Sequence, residues 1–169
     1  MDPVLSQSPN RPAKSVSASR ITLAQMMQPE HANIQGNVHG GWIMKLVDEA
    51  GALTCMRHAQ RRVVTVAVDQ MIFRQPVRIG DLVTLTAEVS FAGHTSMEAE
   101  VNVVAENPIS GDCTFTNTAY LVYVALDEYG VPTAVPALLP ENEAQRLRME
   151  QASERQARRL SLRKAESSQ

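Results

Sequence analysis

The sequence predicts an α+β domain in which one long helix lies against a curved antiparallel sheet. Two observations carry this prediction. Apolar residues recur with helical spacing over residues 40–59, and the period changes to two in residues 83–91 and 97–105. The link between the two alternating segments, residues 92–94, is short enough for an antiparallel hairpin.

The first third of the chain is predicted to lead into the long helix. Residues 1–19 are rich in Ser and Pro with little to bury, so we expect a disordered lead-in. A first strand is expected at about residues 20–27, followed by a polar loop over residues 28–38. The helix over residues 40–59 ends with Arg57 and His58, which suit the negative end of its dipole.

The rest of the chain is predicted to supply the other strands and a second helix. Residues 63–69 and 71–73 are β-rich, and residues 114–126 become apolar on both faces from Tyr120 onward, as a central strand would. Residues 140–164 predict a charged helix with a weak apolar stripe, which favours a solvated or partner-docking appendage over core. We therefore divide the chain into a lead-in (1–19), one domain (20–139) and a C-terminal charged helix and tail (140–169).

Composition narrows the class of protein. With 44% hydrophobic residues, 20% charged residues and a net charge of −2, the sequence predicts an ordinary globular protein without nucleic acid as its main partner. No apolar run has the length of a membrane span or the form of a signal peptide, so we expect a cytoplasmic protein. Cys55 and Cys113 match neither metal nor redox spacing and are predicted to be buried, unreactive thiols.

The most informative feature is an acid on the largely apolar helix. Asp48 shares its helical face with small or apolar residues, namely Gly41, Met44, Gly51, Ala52 and Cys55. A carboxylate in such surroundings is costly unless it has partners, and a salt bridge or a cap is the structural alternative. The small neighbours leave space beside it, which favours a reaction site.

The start of the same helix offers groups that could assist a reaction. The pair Gly40-Gly41 leaves backbone N–H groups free to face a ligand or a developing oxyanion. Asp48 could act as general base for water, or as nucleophile, toward an activated acyl group. Asn37 could orient the water or the carbonyl, and His39 is either a cap or a supporting partner. Nucleophile-elbow, zinc-protease and phosphate-loop motifs are absent from the sequence.

Residues 29–51 and 61–69, together with residues 76–81 and 93–97, resemble the hot-dog-fold acyl-CoA thioesterases. The likeness is narrower to the branch of cytosolic long-chain acyl-CoA hydrolases and their bacterial single-domain relatives. It covers about residues 20–135. The resemblance implies a sheet wrapped around the central helix, and an essential homodimer with sheets joined edge to edge. It further implies assembly into a trimer of dimers, which is a hexamer.

The resemblance also implies roles for particular residues. Asp48, as base or nucleophile, and Asn37 would come from opposite subunits, with the Gly41 N–H as oxyanion donor. His39 and Gly40 would lie at the substrate. No metal and no separate cofactor are expected, because coenzyme A is part of the substrate.

Coenzyme A is expected to follow a strand edge. Its pantetheine arm would run along Thr65, Val66 and Ala67, and its phosphates would need cations such as Arg62. Arg57, Arg61 and Arg74 are further candidates, each of which could equally be a solvated surface charge. Thr95 and Ser96 would contact the nucleotide end, or serve only as a hairpin turn, and His58 and His94 are expected to be structural.

The predicted function is hydrolysis of fatty acyl-CoA to free fatty acid and coenzyme A. The alternatives keep the fold and change the role: a thioesterase for aryl-CoA or acyl-carrier-protein esters, or a non-catalytic acyl-CoA-binding regulator. Retention of both Asn37 and Asp48 argues against the regulator.

Overall fold

The computed structural model of the protein describes residues 11–166. The elements in chain order are β1 (Ala13–Ser15), a 3-10 turn (Ser17–Ser19), β2 (Ile21–Met26), a 3-10 turn (Pro29–His31), α1 (Gly40–Ala59), β3 (Arg62–Met71), β4 (Leu82–Ala92), β5 (Ser96–Glu106), β6 (Cys113–Leu126), β7 (Ala137–Leu139) and α2 (Glu143–Glu166). Five of the strands form an antiparallel sheet in the order β2-β4-β5-β6-β3, and β1 and β7 form a separate pair. The predicted α+β class and the sheet that curves around a long central helix are confirmed.

Helix α1 occupies the predicted residues and forms the centre of the core. One side of it buries Ile43, Leu46, Val47 and Ala50. These pack with alternate residues of β4 and β5, namely Val83, Leu85, Val101 and Val103, all of which are fully buried. The period of two places those side chains on a single sheet face, so the sheet offers α1 a continuous apolar surface.

The prediction of a disordered lead-in is wrong for residues 11–19, while residues 1–10 lie outside the described residues. Strand β1 pairs in parallel with β7, and Val16 directly after it is buried. The Arg11 guanidinium donates hydrogen bonds to the carbonyl oxygens of Val135 and Pro136. This pair was not predictable from local pattern, because its two strands are each three residues long and lie far apart in the chain.

Helix α2 packs against the five-stranded sheet of the same chain, on the face opposite α1. Glu98 on β5 is 1% exposed and forms ion pairs with Arg155 at 2.7 Å and Arg159 at 2.8 Å. Arg159 also binds Asp69 of β3 at 2.9 Å, and the Arg155 guanidinium lies 3.8 Å from the centre of the Tyr120 ring. The predicted charged C-terminal helix is confirmed, and most of its described residues are exposed. Its docking on the sheet was not predicted, because it depends on buried ion pairs that an apolar stripe does not reveal.

The two cysteines differ in their exposure to solvent. Cys55 is buried as predicted, whereas Cys113 at the start of β6 is exposed. Over residues 11–166, no helix combines the length and the apolar character that crossing a membrane requires. The same residues hold no cluster of three or more His, Cys, Asp or Glu side chains suited to a metal ion.

Candidate active site

Asp48 lies near the middle of α1, above the sheet edge formed by β6 and β3. Its Oδ1 atom accepts hydrogen bonds from Thr65 Oγ1 at 2.7 Å and from the Tyr123 hydroxyl at 3.1 Å. Thr65 and Tyr123 are direct partners in the register of β3 and β6, so both side chains lie on the face beneath the helix. Sheet register therefore aims two donors at one carboxylate oxygen.

Tyr123 is a site residue that sequence reasoning missed. Its side chain is fully buried, and its hydroxyl also lies 3.0 Å from the backbone carbonyl oxygen of Asp48. Burial raises the pKa of the Tyr123 phenol, and the nearby Asp48 carboxylate raises it further. The phenol is therefore protonated at every pH at which the protein would be assayed, and it serves Asp48 as a donor.

Gly51 makes this contact possible. A Cβ atom at position 51 would lie 2.4 Å from the Tyr123 hydroxyl oxygen, well inside van der Waals contact. The sequence predicted space beside Asp48 at Gly51, and the structure fills that space with the phenol. A glycine one turn after a buried acid was the available signal, although nothing local to it indicates which side chain approaches.

An open and mostly apolar cleft borders Asp48. Its lining includes Thr65 together with Gly41, Met44, Val47, Val68, Met71 and Leu121. Met44 and Val68 are about half exposed there, although both are large and apolar. Such a surface beside a carboxylate suits a substrate with an apolar part next to a reactive polar group.

The start of α1 is capped by its own sequence neighbour. His39 Nδ1 accepts the Gly41 N–H at 2.9 Å, so the cap predicted as one alternative for His39 is the role it has here. The Gly41 N–H, predicted as an oxyanion donor, is therefore occupied in this structure. The N–H of Gly40, the first helical residue, has no intrahelical partner by helix geometry.

Asn37 lines a second cleft on the other side of the helix start. That cleft is bordered by Asn33, Asn37, Gly40, Phe73 and Arg74, among others. Asn33 Oδ1 accepts the backbone N–H of Gln35 at 2.9 Å and of Asn37 at 3.2 Å, which fixes the loop. Within one chain, Asn37 and Asp48 thus border different clefts, with Gly40 on the side of Asn37 and Gly41 on the side of Asp48.

The predicted coenzyme A residues are spread over the surface. Thr65 touches Asp48, while Val66 is half exposed and Ala67 partly buried on the same edge strand β3. Arg62 donates to the carbonyl oxygens of Asp127 and Glu128.

Thr95 and Ser96 are used by the turn before β5. The Ser96 carbonyl accepts the Gly93 N–H, and the Thr95 carbonyl accepts the Ala125 N–H. Arg62, Thr95 and Ser96 are not among the residues that line the Asp48 cleft.

Comparison with known proteins places these features in a family. Residues 35–111 match the family model described as the thioesterase superfamily. The chain is 34% identical to a mouse cytosolic acyl coenzyme A thioester hydrolase over 92% of its own length, and it spans only 40% of that relative.

Two sets of solved structures extend the comparison. An acyl-CoA hydrolase from Staphylococcus aureus, solved with butyryl coenzyme A, coenzyme A and coenzyme A disulfide, has a TM-score of 0.85 at 32% identity, covering 93% of this chain and 96% of that one. Its alanine variants at an aspartate, an asparagine and a threonine have also been solved. A hexameric thioesterase from Yersinia pestis has a TM-score of 0.64 at 36% identity, covering 68% of this chain and 93% of that one.

These matches agree with the five-stranded sheet and the long central helix. The chain belongs to the hot-dog-fold acyl-CoA thioesterases of the thioesterase superfamily.

Proposed function

We propose that the chain hydrolyses acyl-CoA thioesters to a free acid and coenzyme A, with Asp48 at the reaction centre. The observation that carries the proposal is the Asp48 carboxylate, held on Oδ1 by Thr65 and Tyr123 at the wall of an apolar cleft. A solvated surface acid would have neither the two donors nor the apolar wall. The acyl-CoA hydrolase relatives support the choice of substrate.

The chemistry follows from what the carboxylate can do. As a general base, Asp48 takes a proton from water while the water oxygen bonds to the thioester carbonyl carbon. The tetrahedral intermediate then breaks its carbon–sulfur bond, and the coenzyme A thiolate leaves and takes up a proton. In the alternative, the carboxylate attacks the thioester carbon and displaces the coenzyme A thiolate, and water then opens the resulting anhydride to the free acid and the Asp48 carboxylate. The Gly40 N–H lies at the positive end of the helix dipole, where it can stabilise the oxyanion.

We propose that the site is completed by a second copy of the chain. Asn37 and Asp48 border separate clefts within one chain, so a substrate touching both needs a second subunit to join those surfaces. Strand β3 ends the sheet and carries three valines, Val64, Val66 and Val68, that are each about half exposed. An apolar edge strand of this length is a ready surface for pairing with the same strand of another copy. The hexameric relatives support further assembly as a trimer of dimers.

The spacing of the replaced residues in a solved relative supports a different orienting amide from Asn37. In the Staphylococcus aureus hydrolase, the replaced asparagine lies fifteen positions before the replaced aspartate, and the threonine lies seventeen positions after it. Counted from Asp48, those positions hold Asn33 and Thr65. We therefore propose Asn33 as the orienting amide in place of Asn37, since both line the same cleft. The Asn33 oxygen is bound to the loop backbone, which leaves its NH₂ group available to the substrate.

The acyl group and the cellular location are proposed on coarser grounds. Met44, Val68, Met71 and Leu121 make the Asp48 cleft apolar, which favours an aliphatic acyl chain. The relatives named as cytosolic support a cytoplasmic location.

The test is thiol release from acyl-CoA esters of increasing chain length. We expect turnover by the wild type and a loss of about 10²–10⁴-fold in kcat for Asp48→Asn, because a general base contributes on that scale. Asn33→Ala is expected to lose far more activity than Asn37→Ala. Binding without turnover by the wild type would support the regulator, and turnover only with acyl-carrier-protein esters would support that alternative. Equal losses in the two asparagine variants would contradict the choice of Asn33.

A further inference from the structure

We propose that Tyr123 is a positioning residue whose hydroxyl fixes the orientation of the Asp48 carboxylate. The inference rests on the proposed function, because it assigns a role within the same site. Tyr123 reaches Asp48 from beneath, out of the sheet, and lines neither of the clefts that border the helix start. It would therefore act on the reaction through Asp48 and without touching the substrate.

The geometry divides the work of the two carboxylate oxygens. Over residues 11–166, the hydrogen bonds to the Asp48 side chain come from Thr65 and Tyr123, and both end on Oδ1. That arrangement leaves Oδ2 to meet water or the thioester carbon. Donors to a charged oxygen form strong hydrogen bonds, so the two bonds on Oδ1 fix the rotation of the carboxylate.

A purely structural role for the phenol is the alternative. The single hydroxyl proton is shared between Asp48 Oδ1 at 3.1 Å and the Asp48 backbone oxygen at 3.0 Å. If the backbone oxygen took it entirely, Tyr123 would only fasten α1 to β6. A substitution at Gly51 cannot distinguish positioning of the Asp48 carboxylate from fastening of the helix, because a Cβ at that position would displace the phenol in either case.

The contact can be isolated with Tyr123→Phe, which removes the hydroxyl and keeps the ring. The matched control is Tyr120→Phe, a half-buried tyrosine on the same strand whose ring lies against Arg155 on the opposite sheet face. Other titratable or charged groups around the site are Lys45 with its partner Glu49 on α1, and buried Cys55 near the phenol. These groups are the same in wild type, variant and control.

Two readouts are measured on the full-length protein. Thiol release from butyryl-CoA and longer acyl-CoA esters gives kcat and KM, and thermal unfolding gives the Tm of each protein. We expect Tyr123→Phe to lose roughly tenfold or more in kcat at an unchanged KM, the size set by loss of one hydrogen bond to a charged group that acts in the chemical step. Tyr120→Phe should match the wild type in kcat and KM.

The outcomes are separable. A kcat equal to that of the wild type in Tyr123→Phe overturns the inference, even if the variant melts at a lower temperature, because the phenol then serves only the backbone. An inactive wild type contradicts the proposed function and this inference with it, whereas an active wild type with an equally active Tyr123→Phe contradicts this inference alone. Should Tyr123→Phe fail to fold, 3-fluorotyrosine at position 123 keeps the shape and makes a stronger donor. The kcat must then change at an unchanged KM, and a kcat that stays in place overturns the inference.

Discussion

Replacing Gly51 by alanine sets two opposing effects against each other. Gly51 lies within α1, where alanine is favoured over glycine by about 1 kcal/mol of helix propensity. The new Cβ would stand 2.4 Å from the Tyr123 hydroxyl oxygen and 3.0 Å from its Cζ atom. Unbonded heavy atoms pack at about 3.5 Å, so the phenol must move by roughly 1 Å.

The clash is expected to win. Overpacking of a core costs about 1–3 kcal/mol, and the loss of the Tyr123 hydrogen bond costs about 1–3 kcal/mol more. After the gain in helix propensity, we expect Gly51→Ala to lower the free energy of unfolding by about 2 kcal/mol. For a chain of this size, that loss corresponds to a Tm lower by about 4–8 °C.

The assay is thermal and urea unfolding at one fixed protomer concentration, because assembly alters apparent stability. Gly40→Ala is the matched control, since it makes the same change on the same helix and its Cβ would meet the Phe73 ring at an ordinary 3.6 Å. We expect the control to unfold within about 0.5 kcal/mol of the wild type. A Gly51→Ala protein as stable as the wild type would refute the close approach of Tyr123.

Three further predictions concern the other parts of the molecule. Glu98→Ala removes the acid that pairs with Arg155 and one of the two acids that pair with Arg159, and it should lower the free energy of unfolding in urea by about 2–3 kcal/mol. Glu150→Ala, which removes an exposed ion pair, should lower it by under about 1 kcal/mol, and equal losses would contradict docking of α2 through Glu98. Burial lowers the pKa of His58 in the folded protein. On acidification the unfolded chain therefore binds a proton at this residue before the folded protein does, and the free energy of unfolding should fall as the pH drops below about 6.5. His58→Gln should reduce the dependence of the free energy of unfolding on pH, measured by denaturation at several pH values. An unchanged dependence would contradict the lowered pKa of His58 as its cause. Val66→Lys should dissociate the proposed oligomer, as measured by sedimentation velocity, because a charge on the edge strand blocks strand pairing. Val131→Lys, at an equally exposed valine, should leave the oligomer intact. An oligomer that survives Val66→Lys would exclude β3 as the interface.

The elements set by local pattern were predictable. The helix spacing over residues 40–59 and the alternation in β4 and β5 determined those elements to within one or two residues. The β1–β7 pair was missed because its two segments are far apart in sequence and each is three residues long. Docking of α2 was missed because Arg155 and Arg159, four positions apart on one helical face, find their partner Glu98 only once the sheet exists.

Of the candidate site, the acid was predictable from the sequence, whereas its hydrogen-bond donors were not. Asp48 stood out as an acid on an apolar helix, and that signal is contained within one element. Its donors were not recognised, since Thr65 and Tyr123 converge only through the register of β3 and β6. The choice between Asn33 and Asn37 could not be made from the loop sequence either, because both amides lie four positions apart at one cleft.

Complementation between two inactive chains tests the shared site most directly. Asp48→Asn and Asn33→Ala chains are each purified alone as references. The same two chains are also coexpressed, so that mixed dimers form. A mixed dimer holds one site with both substitutions and one site with neither, so random mixing restores roughly one quarter of wild-type thiol release for an isologous dimer. We expect that recovery with acyl-CoA as the substrate. Coexpressed chains no more active than the two separate variants would contradict a site built from two copies.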